Sequence, residues 1–218
     1  MKMRIAVFSD SINIPPKEGV NVHTYDLLRT LAARSDCTPI LVVCDRGWLE
    51  HDVLRTQTFD TILLPEKFFY DVNYIAKLVI THGFDIVQSY MTYFGSAVLG
   101  PAAYQANIPC VAELHDLEES VVSVYFSHDE LADATRQHVA FQKQAAKYAS
   151  VVRIMSEYDY SIIKETWNDF NTQRYVCIPV SRPTVKTDHH ISPSLITYIG
   201  NMSYTPNAQG AEIIKNKI

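Results

Sequence analysis

Glycine is scarce in this 218-residue chain, seven in all, and none of its arrangements makes a familiar phosphate loop. No G-x-G-x-x-G occurs. The only close pair, Gly95 and Gly100, runs into Pro101-Ala102 where a phosphate-binding Lys-Ser/Thr would stand, which disfavours nicotinamide-cofactor binding and P-loop NTPase chemistry. Nowhere do about 18 apolar residues run uninterrupted, as a membrane-crossing helix requires. The first apolar run stops at Ser9-Asp10, short of a signal-peptide core, so the expected compartment is the cytoplasm. There is no Cys-x-x-Cys pair. Cys37, Cys44, Cys110 and Cys177 are widely separated, three of them in apolar β-like runs, and read as buried reduced thiols. A G-x-S-x-G elbow is missing and no cysteine stands near a convincing base, which removes support for a hydrolase triad. His51, His82, His128, His138, His189 and His190 show no metal-ligand spacing, and no metal is expected.

Positive charge is also in short supply. With 19 Lys and Arg against 24 Asp and Glu, the formal net charge is −5. That balance argues against a nucleic-acid partner and against strong attraction to anionic lipid, while leaving peripheral membrane contact open.

What the chain does have is 47% apolar residues, enough for a real core, in short β-branched runs that alternate with helical patterns. Runs at 5–8, 40–43, 61–64, 85–89, 110–114, 151–155 and 175–178 read as seven strands. Between them, Asn21 is placed to cap a helix whose face carries Tyr25, Leu28 and Ala32. Further helical spacing covers 72–82, 96–106 and 129–149, and Ser156 caps a helix over 157–165. Alternating strands and helices specify an α/β fold with a doubly wound, Rossmann-like parallel sheet over residues 1–182. Residues 183–194 have linker composition. Residues 195–218 then read as strand, loop and helix, the first βα unit of a second, incomplete domain.

In such a sheet ligands bind outside the carboxyl ends of the strands, and the specific polar residues cluster there. After the first strand, Gly19 opens a helix that contains Asn21 and His23. That arrangement suits an anion at a helix N-terminus, or is a turn glycine with an ordinary Asn cap. After the fifth strand comes Glu113-Leu-His115-Asp116-Leu-Glu118-Glu119. A histidine among carboxylates supports proton transfer or polarises a sugar hydroxyl, or is simply solvated. The aromatic groups Phe68-Phe69-Tyr70, Tyr93-Phe94 and Tyr125-Phe126 either line an apolar or sugar-binding cleft or pack as core.

The order of these pieces resembles glycosyltransferase family 4, retaining enzymes of the GT-B fold that use nucleotide sugars. The resemblance is carried by Lys2-Met-Arg-Ile-Ala-Val7, the glycine-led helix 19–31, Phe84-Asp-Ile-Val-Gln-Ser89, and Ile108-Pro-Cys-Val-Ala-Glu-Leu-His-Asp116. Tyr148-Ala-Ser-Val-Val-Arg-Ile-Met-Ser156, Val176-Cys-Ile-Pro179 and Gly200-Asn-Met-Ser-Tyr-Thr-Pro-Asn207 extend it. The resemblance implies that the first domain receives the acceptor and the missing C-terminal domain the nucleotide sugar, with no separate cofactor. It implies that Gly19 and Asn21 approach the donor phosphate or sugar. It also puts His115 and Asp116 near the reacting centre, Ser156 at the cleft edge and Gly200 beside the diphosphate. The isolated chain is expected to be inactive. The alternatives are a GT-B-type epimerase or phosphorylase, and a non-catalytic sugar-binding or interaction module from a split or degenerate enzyme.

Overall fold

A computed structural model describes residues 2–16, 19–47, 51–117, 128–168 and 170–178, together with Ala208, Ala211, Glu212, Ile214 and Lys215. The linker over 183–194, the strand and loop over 195–207 with Gly200, and Tyr125-Phe126 lie outside the described residues. The five described residues near the end are helical, in line with the spacing of Ala211 and Ile214.

Seven strands form one sheet: β1 (Met3–Ser9), β2 (Cys37–Asp45), β3 (Asp60–Pro65), β4 (Ile86–Ser89), β5 (Cys110–Leu114), β6 (Val151–Ile154) and β7 (Tyr175–Cys177). Their order is β3-β2-β1-β4-β5-β6-β7, and every neighbouring pair is parallel. The chain winds outward from β1 to one edge, then restarts at β4 and winds to the other. That reversal leaves a crevice at the carboxyl ends of β1 and β4.

Both faces of a parallel sheet must be covered, and the period-two alternation of the strands shows how this is done. Ile5 and Val7 of β1, with Leu41 and Val43 of β2, pack on Leu28 of α1 (Gly19–Ala32). The intervening residues Ala6, Phe8, Ile40, Val42 and Cys44 face the opposite way. They meet Ile75 and Val79 of α4 (Val72–Thr81), and Ala102 and Ala103 farther along the chain. A third cluster joins Ala112, Leu114, Val152, Ile154 and Tyr175 to Ala146 of α7 (His128–Tyr148) and Ile163 of α8 (Glu157–Thr166). Among the described residues no helix is long and apolar enough to cross a membrane.

The structure departs from the sequence expectation in three places. Helix α1 begins at Gly19, so Asn21 is its third residue, 3% exposed, instead of the cap. Two short helices, α2 (His51–Arg55) and α3 (Glu66–Phe69), are too brief to leave a periodic signal. The helix expected over 96–106 starts earlier and changes pitch: α5 (Thr92–Phe94), a π-helical turn over Gly95–Leu99, then α6 (Gly100–Ala106). Pro101 falls in the first turn of α6. A proline there would clash with the carbonyl four residues back in a regular α-helix, and the wider π turn relieves that crowding. Asn107, at φ 54°, closes the helix in the left-handed conformation that asparagine tolerates.

Candidate functional site

Three adjacent strands, β4, β5 and β6, each carry one polar side chain on the same face. Val7 pairs with Gln88, Gln88 with Val111, and Glu113 with Arg153. Since residues two apart share a face, Gln88, Glu113 and Arg153 line up with Ile5 and Val7 on the side that α1 covers. Over β1 and β2 that face is apolar at Ile5, Val7, Leu41 and Val43. Over β4, β5 and β6 it turns polar, and His23 from the second turn of α1 comes down onto it.

Glu113 is the centre of this group, with a side chain only 2% exposed. Its Oε1 accepts hydrogen bonds from Arg153 Nη1 at 2.9 Å and from Gln88 Nε2. Its Oε2 lies 3.1 Å from His23 Nε2 and 3.3 Å from His115 Nε2. Burial by itself pushes the Glu113 pKa up. Hydrogen bonds to His115 and His23 and the Arg153 charge overcome that push and hold the carboxyl well below its ordinary range. The site therefore contains a buried carboxylate that is ionised at neutral pH, matched by one half-buried guanidinium.

The two imidazoles meet edge to face, with ring centroids 5.2 Å apart, and Tyr90 lies 5.5 Å from the His115 ring. Tyr90 also borders a cleft of about 500 Å³ at the carboxyl ends of β1 and β4. Asp10, Tyr70, Tyr93, Phe94 and Phe141 share in its lining. Tyr93 is 57% exposed and meets the Phe141 ring edge-on at 5.1 Å, leaving an aromatic surface open to a ligand.

The ligating atoms of His23, Glu113 and His115 all fall within 4.8 Å of one another, a spacing a metal ion could bridge. Arg153 Nη1, however, sits 2.9 Å from Glu113 and 3.1 Å from His23 Nε2. A fixed positive charge already holds the cation's place, so these residues do not suit a metal.

The structure brings some of the expected site residues together and sets others apart. His115 joins the buried cluster. Its neighbour Asp116 is exposed and contributes its backbone carbonyl, which accepts from Gln142 Nε2 at 2.6 Å. Gly19 opens α1 beside the crevice, and Asn21 is buried within the first turn. Ser156 follows β6 and is engaged in capping. Its Oγ accepts from the Asp159 backbone N–H at 3.0 Å and donates to Asp159 Oδ2 at 2.6 Å. His23, Gln88, Tyr90 and Arg153 belong to the site although sequence reasoning did not select them. For Gln88 and Arg153 the available signal was a polar residue two positions after an apolar one on the same strand face, as Gln88 follows Ile86 and Arg153 follows Val151.

A doubly wound sheet with its polar cluster and cleft at the strand-order reversal has the architecture of the first domain of GT-B glycosyltransferases. The chain belongs to glycosyltransferase family 4, whose family model matches residues 17–195. Solved structures share the fold. A UDP-glucosyltransferase from Polygonum tinctorium capable of glucosylating indoxyl and 3,4-dichloroaniline superposes with a TM-score of 0.56 at 10% identity, over 89% of this chain and 56% of its own. HepE of Anabaena, solved with UDP-glucose, gives a TM-score of 0.53 at 17% identity, over 81% and 43%. UGT89C1 of Arabidopsis thaliana, complexed with UDP-L-rhamnose, gives 0.53 at 13% identity, over 100% and 64%. This chain thus spans between 43% and 64% of the length of these proteins. No curated protein matches it.

Proposed function

We propose that this chain is the acceptor-side part of a retaining glycosyltransferase that moves a sugar from a nucleotide-sugar donor to a hydroxylated acceptor. The observation that carries this reading is the sharing of Tyr90 between the aromatic cleft and the His115 cluster. An acceptor whose ring stacks on Tyr93 and Phe141 is thereby led toward His115. Residues 1–182 form the acceptor-side domain, 183–194 the linker, and 195–218 the opening of the donor-binding domain.

Each site residue expected from the sequence then has a task. Leaving-group charge develops on the donor diphosphate, and preorganised dipoles are the means of stabilising it. In this reading the N–H groups at the start of α1, led by Gly19, are the dipoles offered to that charge. His115 contacts a sugar hydroxyl, Asp116 stands beside it at the open edge, and Ser156 borders the cleft after β6. Gly200 admits the second domain's backbone to the diphosphate. The donor is a substrate, and no further cofactor takes part.

The test is a form of this chain that carries a complete donor-binding domain, incubated with a panel of UDP-, GDP- and ADP-sugars. Transfer with retained anomeric configuration, lost in His115→Ala, is expected, while the isolated chain turns nothing over. Absence of both transfer and hydrolysis across the panel sinks the enzyme reading. A free epimerised sugar or a sugar phosphate as product reassigns it to an epimerase or phosphorylase.

A further inference from the structure

We propose that Glu113 is a positioning residue that fixes the tautomer of His115, keeping the proton on Nε2 and presenting Nδ1 as a hydrogen-bond acceptor to a sugar hydroxyl. The chemical purpose rests on the glycosyl-transfer reading above; the geometry does not.

An ionised carboxylate accepts hydrogen bonds and donates none. His115 Nε2 stands 3.3 Å from Glu113 Oε2, a contact that is attractive only when Nε2 bears the proton. A neutral imidazole has one N–H, so Nδ1 keeps its lone pair. Nδ1 has no partner among the described residues, and the ring is 20% exposed. The unprotonated nitrogen is therefore the one offered to a ligand. An incoming hydroxyl donates to it, which orients the sugar and raises electron density on the hydroxyl oxygen.

His23 provides an internal comparison. Its Nε2 lies 3.1 Å from Glu113 Oε2 and equally 3.1 Å from Arg153 Nη1. The guanidinium only donates, so that nitrogen has one neighbour demanding a proton and another demanding a lone pair. Either tautomer satisfies one of them. His115 faces the carboxylate alone, and only one tautomer fits.

The rest of the cluster determines what a neutral replacement would do. Glu113 Oε1 receives donors from Arg153 and Gln88. In Glu113→Gln the amide oxygen must take that position, which turns the NH2 group toward His115 Nε2. A donor then faces the nitrogen that previously donated, and the ring must move its proton to Nδ1. The same logic makes an Asp→Asn change beside a catalytic histidine so costly in serine proteases, through the wrong tautomer.

The experiment is long-range proton–nitrogen correlation spectroscopy of the 15N-histidine-labelled chain at mildly alkaline pH, with His115 assigned by its loss in His115→Asn. The unmodified chain should show His115 protonated on Nε2, and E113Q should show it protonated on Nδ1. Glu113→Asp, which keeps the charge but draws the carboxylate back, should give a mixture and serves if E113Q does not fold. Nδ1 protonation in the unmodified chain, or an unchanged tautomer in both variants, overturns the proposal. In the form bearing a donor domain, E113Q should lower kcat/KM by about a hundredfold or more. Because the spectra need no turnover, failure with every nucleotide sugar refutes the functional reading and leaves the tautomer result standing.

Discussion

Glu113 and Arg153 stand side by side in register on adjacent parallel strands, joined by a 2.9 Å hydrogen bond from Nη1 to Oε1. Both side chains are largely withdrawn from water, at 2% and 14% exposure. The pair keeps a negative charge inside the sheet at a tolerable cost. Removing one partner of a buried pair typically costs about 3–5 kcal/mol, because the other is left uncompensated. Arg153→Met should therefore lower stability by about that amount in urea titration. Adding Glu113→Gln to Arg153→Met should restore part of the loss, since the orphaned charge is gone. A double variant less stable than Arg153→Met by the full cost of E113Q alone would show that the two groups are not coupled.

The same carboxylate predicts an acid-sensitive stability. Burial raises its pKa, but the His115 and His23 hydrogen bonds and the Arg153 charge prevail, so the folded value lies below the unfolded one. The unfolded chain then binds the proton first as pH falls. Glu113's contribution is complete above about pH 5 and drains away below the ordinary carboxylate pKa of about 4.3, by up to about 1.4 kcal/mol per pH unit. Urea midpoints measured between pH 3 and 7 should converge for the unmodified chain and E113Q as acidity increases. A constant gap across that range contradicts the assignment.

The sheet was legible in the sequence because strand runs such as Cys110-Val-Ala-Glu-Leu114 carry a local period-two signal, and β5 begins and ends where that run does. His115 was legible as a loop residue after a strand. Glu113 sits in the same run, yet its importance was hidden. Its partners His23, Gln88 and Arg153 lie 90, 25 and 40 residues away, and only the strand order brings them together. Asn21 misled for a local reason. Asparagine is a strong cap, but here Gly19 had already started the helix, and Asn21 was drawn into its first turn and buried there. The π turn at Gly95–Leu99 had no periodic signature at all, since it answers to Pro101 and to the packing of Gly100.

Thiol chemistry should follow burial. Cys37, Cys44 and Cys110 are buried and Cys177 is half-buried. Burial pushes the Cys110 thiol up to about 12 and raises that of Cys44. Cys177 is also raised, by desolvation and by a hydrogen bond with Glu157. Alkylation of the native chain at pH 8 should therefore be confined to Cys177 and run slower than for a free thiol, because the thiolate is the reactive form. Peptide mass mapping should find the other three labelled only after guanidinium is added. Fast native labelling at Cys110 would mean that β5 opens far more readily than its packing implies.

Two glycines on one helical path should respond oppositely to alanine. Replacing a helix-interior glycine normally stabilises by about 0.5–1 kcal/mol, through the entropy of the unfolded chain. At Gly95 a Cβ would meet only Ala145 Cβ at 3.5 Å, an ordinary contact, so Gly95→Ala should be neutral or stabilising. At Gly100 a Cβ would lie 2.6 Å from both the Gly95 carbonyl oxygen and Tyr148 Cβ. Neither atom is the end of a flexible side chain. Gly100→Ala must therefore push α6 away from the end of α7 or distort the π turn, at a cost of about 1–3 kcal/mol. Tyr148→Ala keeps the offending Cβ and should not rescue it. Thermal unfolding of the two single variants and the Gly100→Ala/Tyr148→Ala double variant decides the matter, and equal midpoints for Gly95→Ala and Gly100→Ala would refute the close approach.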